Sequence, residues 1–437
     1  MTVQVIAAVA VLAAVSLRSG RWQMRWLPWA AMVGAALAAT AYWYVASQGL
    51  SDNPAPQSLW IWIALTGFAA AVLVTGWRRA RWWHRGASVA ALPLSLLCAA
   101  LALNLWVGYF PTVQTAWNQL TAGPLPDQTD RVTVTAMQMQ RKIPAKGTVV
   151  PVSIDQSASG FRHRGELVYL PPAWFATNPP PRLPTVMMIG GEFNTPEDWL
   201  RTGEAIKTID DFAAAHHGNA PVLVFVDPGG AFNNDTECVN GSRGNAADHL
   251  TKDVVPYMVS NFGVSAARSN WGIVGWSMGG TCAVDLAVMH PDMFSAFEDI
   301  AGDIGPNTGN KEQTIARLFG GNADAWAAFD PTTVINRHGP YTGVAGWFDV
   351  NGSTATVSTR PANDQAKAAD ALCGLGSANG IDCAVVTQPG KHDWPFASHA
   401  FAAALPWLAG EIGTPGVAKT SLPVPAPRAA IEQTAAR

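Results

Sequence analysis

The residues best suited to chemistry in this sequence surround Ser277. Residues 275–280, GWSMGG, have the spacing G-x-S-x-G, follow a strand-like stretch at 271–274 and open a helix-like stretch at 281–289. A sharp turn between a strand and a helix exposes a serine hydroxyl above the sheet, and small neighbouring residues permit that turn. The pattern therefore predicts that Ser277 is a nucleophile.

A serine hydroxyl is a weak nucleophile and needs a positioned base. His392 is the preferred base, because it directly follows the β-rich run 384–387 and lies downstream of the serine. His399, one turn into the next helix-like segment, is its rival. His216 and His217 are interpreted as the end of a surface helix, since no third ligand lies at metal spacing. The sequence predicts neither a metal nor another cofactor.

The acid that would orient the base is open among three aspartates. It should lie after the strand-like run 344–350 and before the histidine. Asp364 is preferred, because it stands at the start of a helix-like segment and could reach back to the imidazole. Asp349 is the alternative, although it lies within the strand itself. Asp370 lies deep in the helix-like segment and is the weakest of the three.

An oxyanion hole requires two backbone N–H groups directed at the developing charge. Met278, the residue after the nucleophile, supplies the first in this arrangement. Glu192, in the turn that follows the strand-like run 185–189, is the expected second donor. An ordinary strand end would carry the same turn, so the pattern alone does not separate the two interpretations.

The elements that must position these residues begin near residue 148. Short β-rich runs alternate there with helix-length segments, which predicts a mostly parallel sheet covered on both faces. The strand-like runs are 148–154, 166–170, 185–189, 222–226, 272–274, 344–350 and 384–387. We assign the domain to residues 148–410, a linker to 109–147, and a disordered tail rich in Pro and Ala to 411–437.

Residues 1–108 have a different composition, with four apolar runs at about 2–17, 27–48, 59–77 and 87–108. Two arginine clusters separate the first run from the second and the third from the fourth, and Asp52 is the one acidic residue. The first cluster is Arg18, Arg21 and Arg25, and the second is Arg78, Arg79, Arg81 and Arg85. A helix needs about 20 apolar residues to cross a bilayer, so the runs predict a bundle of four transmembrane helices, the first of borderline length. The positive-inside rule places the arginines in the cytoplasm and everything after Gly108 outside.

The whole chain carries a formal net charge of -3, and only 14% of its residues are charged. An average soluble domain has roughly 25% charged residues, so this composition favours a membrane protein. With a negative net charge, no positively charged surface is expected that could bind a phosphate backbone, and nucleic acid is not an expected partner.

The five cysteines indicate the cellular compartment of the domain. Cys98 lies in the fourth apolar run, and the other four belong to the domain that is predicted to face an oxidising compartment. Cys373 and Cys383 bracket a short turn, which favours a disulfide between them and leaves Cys238 for Cys282. Four cysteines allow three pairings in all.

Five motifs of this sequence occur together in one known family. They are Ile189-Gly190-Gly191 with Trp199, Asp235-Thr236-Glu237-Cys238, the Ser277 elbow, His290-Pro291-Asp292-Met293-Phe294 and Gly390-Lys391-His392-Asp393-Trp394. With these motifs the sequence resembles the putative-esterase family of α/β-hydrolases, which includes esterase D and the antigen 85 mycolyltransferases. The resemblance covers about residues 148–410 and implies a Ser–His–acid esterase or acyltransferase with no cofactor. A Gly-x-x-Asp turn carries the acid in many members, but here 352–355, GSTA, contains none.

Together these features predict an N-terminal transmembrane bundle followed by an α/β-hydrolase domain on the extracytoplasmic side of the cell membrane. The expected substrates are acyl esters of envelope lipids or glycolipids, including mycoloyl-type and aminoacyl-lipid esters. Water as acceptor would give an esterase and a hydroxyl group an acyltransferase. The alternative is a catalytically silent domain for binding or adhesion, because a fold does not fix its function.

Overall fold

The computed structural model describes residues 2–423, apart from 17, 49–54, 78–80, 108, 111, 122, 124, 126 and 353–363. Asp52, Arg78 and Arg79, which belong to the predicted loops of the bundle, lie outside the described residues. So do the predicted loop 353–363 and most of the predicted tail, 424–437.

The N-terminal unit contains four helices: α1 (Thr2–Ser16), α2 (Gly20–Gln48), α3 (Gln57–Gly76) and α4 (Trp82–Val107). Three of them, α2 to α4, are long and apolar enough to cross a membrane. The 15 residues of α1 rise about 22 Å, whereas the hydrocarbon core is about 30 Å thick, so of the four predicted spans the structure supports three.

Small residues let the helices of this unit pack closely. A Cβ atom added at Gly34 of α2 would lie 2.4 Å from the carbonyl oxygen of Ala64 in α3, and one added at Gly67 would lie 3.1 Å from the Cα of Gly34. Glycine at both positions therefore permits a backbone approach that any larger residue would block, as is typical of membrane helices.

The second unit contains an eight-stranded sheet in the order β1-β2-β4-β3-β7-β8-β9-β10. Strands β1 and β2 pair with their neighbours in antiparallel fashion, and β4, β3, β7, β8, β9 and β10 are mutually parallel. The mostly parallel sheet predicted from the sequence is confirmed. The strands are β1 (Thr148–Val152), β2 (Glu166–Leu170), β3 (Thr185–Ile189), β4 (Val222–Val226), β5 (Asn240–Gly241) with β6 (Gly244–Asn245) as a separate small pair, β7 (Trp271–Trp276), β8 (Ala296–Ile300), β9 (Ala345–Gly352) and β10 (Asp382–Pro389).

Helices cover both faces of this sheet, and each face has its own apolar core. Phe212 of α8 and Phe401 of α16 belong to one core, and Met258 of α10 and Leu286 of α11 belong to the other. The second unit contains the helices α5 (Val113–Thr121), α6 (Arg131–Met139), α7 (Asp198–Arg201), α8 (Ala205–Ala215), α9 (Ala246–Asp248), α10 (Val255–Phe262), α11 (Met278–Met289), α12 (Lys311–Phe319), α13 (Ala323–Ala327), α14 (Pro331–His338), α15 (Asp364–Ala378) and α16 (Trp394–Glu411), of which several cover the sheet.

Strand β8 is a central strand that the sequence analysis missed. Its sequence, AFEDI, places Glu298 and Asp299 side by side, and carboxylates are depleted in strands. Both residues are nevertheless fully buried, because the strand lies between β7 and β9. Their burial raises the pKa of each carboxyl well above its ordinary value.

The domain boundaries also differ from the prediction at both ends. Val134 of α6 is fully buried in a core of the second unit, and Thr129 N donates a hydrogen bond to Val149 O. Ile412 is fully buried, and its carbonyl oxygen accepts a hydrogen bond from Asn270 Nδ2. The residues around α6 and those from 411 to 423 therefore pack with the domain, where we had predicted a linker and a disordered tail.

Candidate active site

Ser277 lies in a strained turn between β7 and α11. Its backbone has φ 57° and ψ −122°, a conformation that costs a non-glycine residue free energy and is found at functional sites. The turn is held by Ser277 N, which donates to Ile300 O at the end of β8. A Cβ atom at Gly275 would lie 1.6 Å from Gly279 O, so glycine is required for this close turn. The strand, turn and helix predicted around Ser277 are all present.

His392 meets the serine directly. Its Nε2 lies 2.9 Å from Ser277 Oγ, and its ring lies 4.3 Å from the ring of Trp276. The histidine follows β10, and Asp393 caps α16 by accepting a hydrogen bond from Phe396 N. His399 is exposed on α16, and no hydrogen bond joins it to Ser277 among the described residues.

The surroundings of His392 keep its imidazole neutral at neutral pH. The side chain is exposed at one side, but neighbouring protein atoms partly desolvate the ring and lower the pKa of His392 to about 4. A neutral imidazole has a lone pair on one ring nitrogen and can accept the hydroxyl proton of a serine. The pair can therefore act as nucleophile and general base.

None of the described carboxylates forms a hydrogen bond with His392. Asp364 is the first residue of α15, exposed and paired with Lys367 Nζ at 2.8 Å. Asp349 is fully buried in β9, and its Oδ1 accepts a hydrogen bond from Gln388 Nε2. Burial raises the pKa of Asp349, and Gln388 opposes that shift. Asp370 lies almost two turns into α15, as predicted.

Close packing and hydrogen bonds hold the turn after β3 beside the nucleophile. A Cβ atom at Gly191 would lie 3.1 Å from Ser277 Cβ, and Gly191 N donates to Asn194 Oδ1. Arg164 Nη2 donates to Asn194 O and also to Asp227 Oδ1 at the end of β4. The turn, which includes Glu192, therefore has a fixed position beside the serine.

The backbone N–H groups of Met278 and Glu192, the predicted oxyanion donors, have no hydrogen-bond acceptor in the part of the chain that the structure describes. Met278 is the first residue of α11, and the first N–H groups of a helix have no partner inside the helix. Both N–H groups are therefore free to donate to a substrate oxygen.

Both predicted disulfide bonds are confirmed. Cys238 is bonded to Cys282 in α11, and Cys373 is bonded to Cys383 in β10. The first bond connects the loop after β4 to the helix that begins at the nucleophile. Cys98 is a buried free cysteine in α4.

The sequence analysis did not predict two clusters of charged side chains, although it named Glu192 for its backbone N–H. Glu192, Asp235 and Glu237 lie in loops beside the nucleophile, and the sequence DTEC at 235–238 was used there only as a family motif. His163, Glu166 and His249 bring their ligand atoms within 4.8 Å of one another, although His249 is 83 residues away from Glu166 in the sequence. Only the fold brings His249 to the neighbouring pair His163 and Glu166, so spacing could not reveal this cluster.

The ring nitrogens of this histidine cluster already have oxygen partners. His163 contacts the carbonyl oxygens of Ile154 and Arg164, and His249 contacts the carboxylates of Glu166 and Asp253. The two imidazole rings are stacked with their centroids 4.3 Å apart, instead of converging on one point. These contacts favour a buried network of ionic hydrogen bonds over a metal site.

Comparison with known proteins agrees with the geometry. A family model described as "Putative esterase" matches residues 157–408. An uncharacterized protein of Corynebacterium glutamicum is 28% identical over 412 residues, and the match covers 92% of each chain.

Among solved structures, the S-formylglutathione hydrolase from Agrobacterium tumefaciens has a TM-score of 0.50 and 17% identity. The match covers 62% of this chain and 97% of the hydrolase chain. A ferulic acid esterase has a TM-score of 0.48 with 18% identity. This match covers 61% of the present chain and 99% of the esterase chain. At 17% identity, the match to the S-formylglutathione hydrolase shows a shared fold, which is that of the α/β-hydrolases.

Proposed function

The chain belongs to the putative-esterase family and is a carboxylesterase-type hydrolase, and we propose that it cleaves or transfers acyl esters of envelope lipids or glycolipids. The observation that carries the proposal is the 2.9 Å contact between His392 Nε2 and Ser277 Oγ at a strained elbow. This contact supplies an activated hydroxyl, which is the requirement for covalent catalysis by serine.

The proposed reaction has two halves. Ser277 Oγ attacks the ester carbonyl carbon, and its proton passes to His392 Nε2. The carbonyl oxygen becomes an oxyanion that the N–H groups of Met278 and Glu192 stabilise. When the tetrahedral intermediate collapses, the alcohol leaves with the proton from His392, and an acyl-enzyme remains. Water then releases the acid in an esterase, or a second alcohol accepts the acyl group in an acyltransferase.

For the third member of the triad we propose Asp364. Gln365, its neighbour in the first turn of α15, donates from Nε2 to Asp303 Oδ1, so this turn lies against the loop that follows β8. That loop is at the same edge of the sheet as Ser277. Asp349 is a weaker candidate, because it is buried next to Glu298 and its raised pKa reflects that burial.

The proposed substrate follows from the apolar features of both units. Three N-terminal helices are apolar enough to anchor the chain in a membrane, and we propose that all four helices cross it and leave the catalytic domain on the extracytoplasmic side. In the described part of the catalytic domain beyond residue 148, the strongly exposed large hydrophobic side chains are Phe232 and Ile304. They lie in the loops after β4 and β8, at the edge of the sheet that carries Ser277. An acyl chain of a lipid, including a mycoloyl-type chain, would find apolar contacts there.

The test uses the full chain in detergent. A fluorophosphonate probe should label the wild type and not Ser277→Ala, and a short-chain nitrophenyl ester should be turned over only by the wild type. If the probe does not react and no ester is cleaved, the esterase proposal is wrong for this protein. That outcome would favour the silent binding or adhesion domain.

A further inference from the structure

Four carboxylates lie in the loops at the edge of the sheet that carries Ser277 and are close enough to interact with one another, and we call them the acidic rim: Glu192, Asp235, Glu237 and Asp303. Glu192 lies in the turn after β3, Asp235 and Glu237 in the loop after β4, and Asp303 in the loop after β8. These parallel strands lie on either side of β7, which ends at the serine. The carboxyl ends of parallel strands share one edge of a sheet, so the acidic rim lies around Ser277.

The position of the acidic rim is enforced by several bonds. Glu237 and Cys238 both have positive φ angles, 50° and 51°, which L-residues with side chains seldom adopt. Thr236 Oγ1 donates to Pro228 O, and Cys238 is bonded covalently to Cys282 in the elbow helix. Surroundings that hold two consecutive residues in a costly conformation indicate a functional position.

The acidic rim is short of positive charge. Arg243 is the cation that faces it among the described residues: its Nη1 donates to Asp235 O and lies 3.5 Å from Asp235 Oδ2. Glu237 is only 5% exposed, and its Oε2 has no hydrogen-bond partner in the described structure. Asp303 accepts hydrogen bonds from the amides of Asn307 and Gln365. One guanidinium therefore faces four carboxyls, of which those of Asp235 and Glu237 are buried.

Burial and mutual repulsion also affect the acidic rim. Burial raises the pKa of Glu192, Asp235 and Glu237, and the neighbouring carboxylates of the rim raise the pKa of Glu192 and Glu237 further. A cation bound among them would favour their ionised forms, because an opposite charge nearby stabilises a carboxylate. The site is thus suited to a positively charged group.

A metal ion is a poorer match than an organic cation. The acidic rim does not bring three ligand atoms within 4.8 Å of one another, whereas His163, Glu166 and His249, in a different part of the domain, do. An ammonium group can donate to acceptors that lie on different sides of it, because its three hydrogens point in different directions.

We propose that the acidic rim binds an ammonium group of the substrate close to the ester carbonyl, so that Ser277 prefers aminoacyl esters. This inference rests on the proposed esterase function and narrows its substrate class to acyl groups with a positive charge beside the carbonyl. Glu192 would serve twice, with its N–H toward the oxyanion and its carboxylate toward the ammonium group. Phe193 and Phe232, whose ring centroids are 5.4 Å apart, border the same loops and leave an apolar side for a lipid alcohol.

Two esters of one alcohol test the proposal with the full chain in detergent. The benzyl esters of L-alanine and of L-lactic acid differ in one respect, an ammonium group in place of a hydroxyl. We expect the wild type to show a kcat/KM at least tenfold higher for the alanine ester, measured as benzyl alcohol released. Glu237→Gln and Asp235→Asn should each reduce this ratio by about tenfold.

Two further variants make the result decisive. Glu192→Gln replaces a half-buried carboxylate and keeps the backbone N–H, so it tests the rim even if Glu237→Gln does not fold; it should also reduce the ratio. Asp382→Asn removes an exposed carboxylate at the start of β10, the opposite edge of the sheet, and should leave the ratio unchanged. Equal turnover of the two esters by the wild type, or an unchanged ratio in the folded rim variants, would overturn the inference while the esterase stands. If neither ester is cleaved and Ser277 is not labelled by fluorophosphonate, the esterase function itself fails, and this inference with it.

Discussion

At the residue scale, the base and the nucleophile are in direct contact, and the proposed acid, Asp364, would act on the other side of the imidazole. His392 Nε2 lies 2.9 Å from Ser277 Oγ, and no carboxylate bonds to the ring among the described residues. A carboxylate on the other nitrogen would stabilise the imidazolium that forms during the reaction. It would also raise the pKa of His392, which burial alone lowers to about 4.

The identity of the acid can be tested by three substitutions. We expect Asp364→Asn to lower kcat by about 10³-fold or more, approaching the defect of Ser277→Ala and His392→Ala, because members of a triad act as one unit. Asp370→Asn should stay near the wild type. Turnover of a soluble nitrophenyl ester by the full chain in detergent measures all of these effects.

Asp349→Asn is the control that separates the two interpretations. Asp349 is buried against Gln388, so its replacement should mainly change stability. If Asp349→Asn abolishes turnover and Asp364→Asn keeps it, both with an unchanged melting temperature, the acid is Asp349. The predicted loop at 353–363 would then be an insertion at the substrate site.

His249 makes the stability of the domain dependent on pH. Burial alone would lower the pKa of His249, but hydrogen bonds and the charges of Glu166 and Asp253 outweigh it and raise the pKa above 6.5. A raised pKa means that the stabilisation is complete below pH 6.5 and is lost as the pH rises through the folded-state pKa. The melting temperature of the wild type should therefore fall over that range.

Two histidine variants check this assignment. His249→Gln removes the titrating group. At pH 6 the melting temperature of this variant should be lower than that of the wild type, and between pH 6 and pH 8 it should change less than that of the wild type. His399→Gln changes an exposed histidine and should retain the wild-type dependence. If His249→Gln keeps the wild-type pH dependence of the melting temperature, that dependence comes from other groups.

At the element scale, the disulfide between Cys238 and Cys282 holds the acidic rim against the elbow helix. The bond closes a sequence separation of 44 residues, and the chain-entropy relation gives a contribution of about 4 kcal/mol to the free energy of unfolding. We expect the Cys238→Ser/Cys282→Ser double variant to lose stability and also to lower kcat/KM for esters, because the loop after β4 borders the nucleophile. Thermal unfolding and ester turnover of the same samples would measure the two effects.

The second disulfide gives a matched control. Cys373 and Cys383 are 10 residues apart, and the same relation gives about 3 kcal/mol. Cys373→Ser/Cys383→Ser should therefore lose similar stability with kcat/KM retained. If both double variants lose activity equally, the effect belongs to stability and not to the position of the acidic rim.

Local patterns were sufficient to predict some elements and not others. The elbow at Ser277 and the strand β3 have short, uninterrupted signals, and both were placed correctly. β8 was missed, because Glu298 and Asp299 break the apolar run of a buried strand. The contact of Ser277 with His392 followed from chain order, whereas the acidic rim joins loops after three strands and depends on the order of strands in the sheet.

At the scale of the whole molecule, the N-terminal helices provide an internal argument about topology. Arg18, which follows α1, donates from Nη1 to Gly76 O at the end of α3 and from Nη2 to Ser88 Oγ in α4. The first arginine cluster therefore lies at the same end of the helical unit as the connection between α3 and α4. The second cluster belongs to that connection and the first turn of α4, and its Arg81 and Arg85 are among the described residues.

The last prediction follows from that shared end. Because arginines accumulate on the cytoplasmic side, the end with both clusters should be inside and the chain after Val107 outside. A fluorescent protein fused after Arg85 should fluoresce and an alkaline phosphatase fused there should be inactive, and the reverse should hold after Tyr109. A tag at the N-terminus decides about α1, which is only 15 residues long: it should be outside if α1 crosses the membrane and inside if three helices do. If the fusions after Arg85 and Tyr109 report the same side, α4 does not cross, and the extracytoplasmic position of the catalytic domain, with the envelope-lipid substrate inferred from it, is wrong.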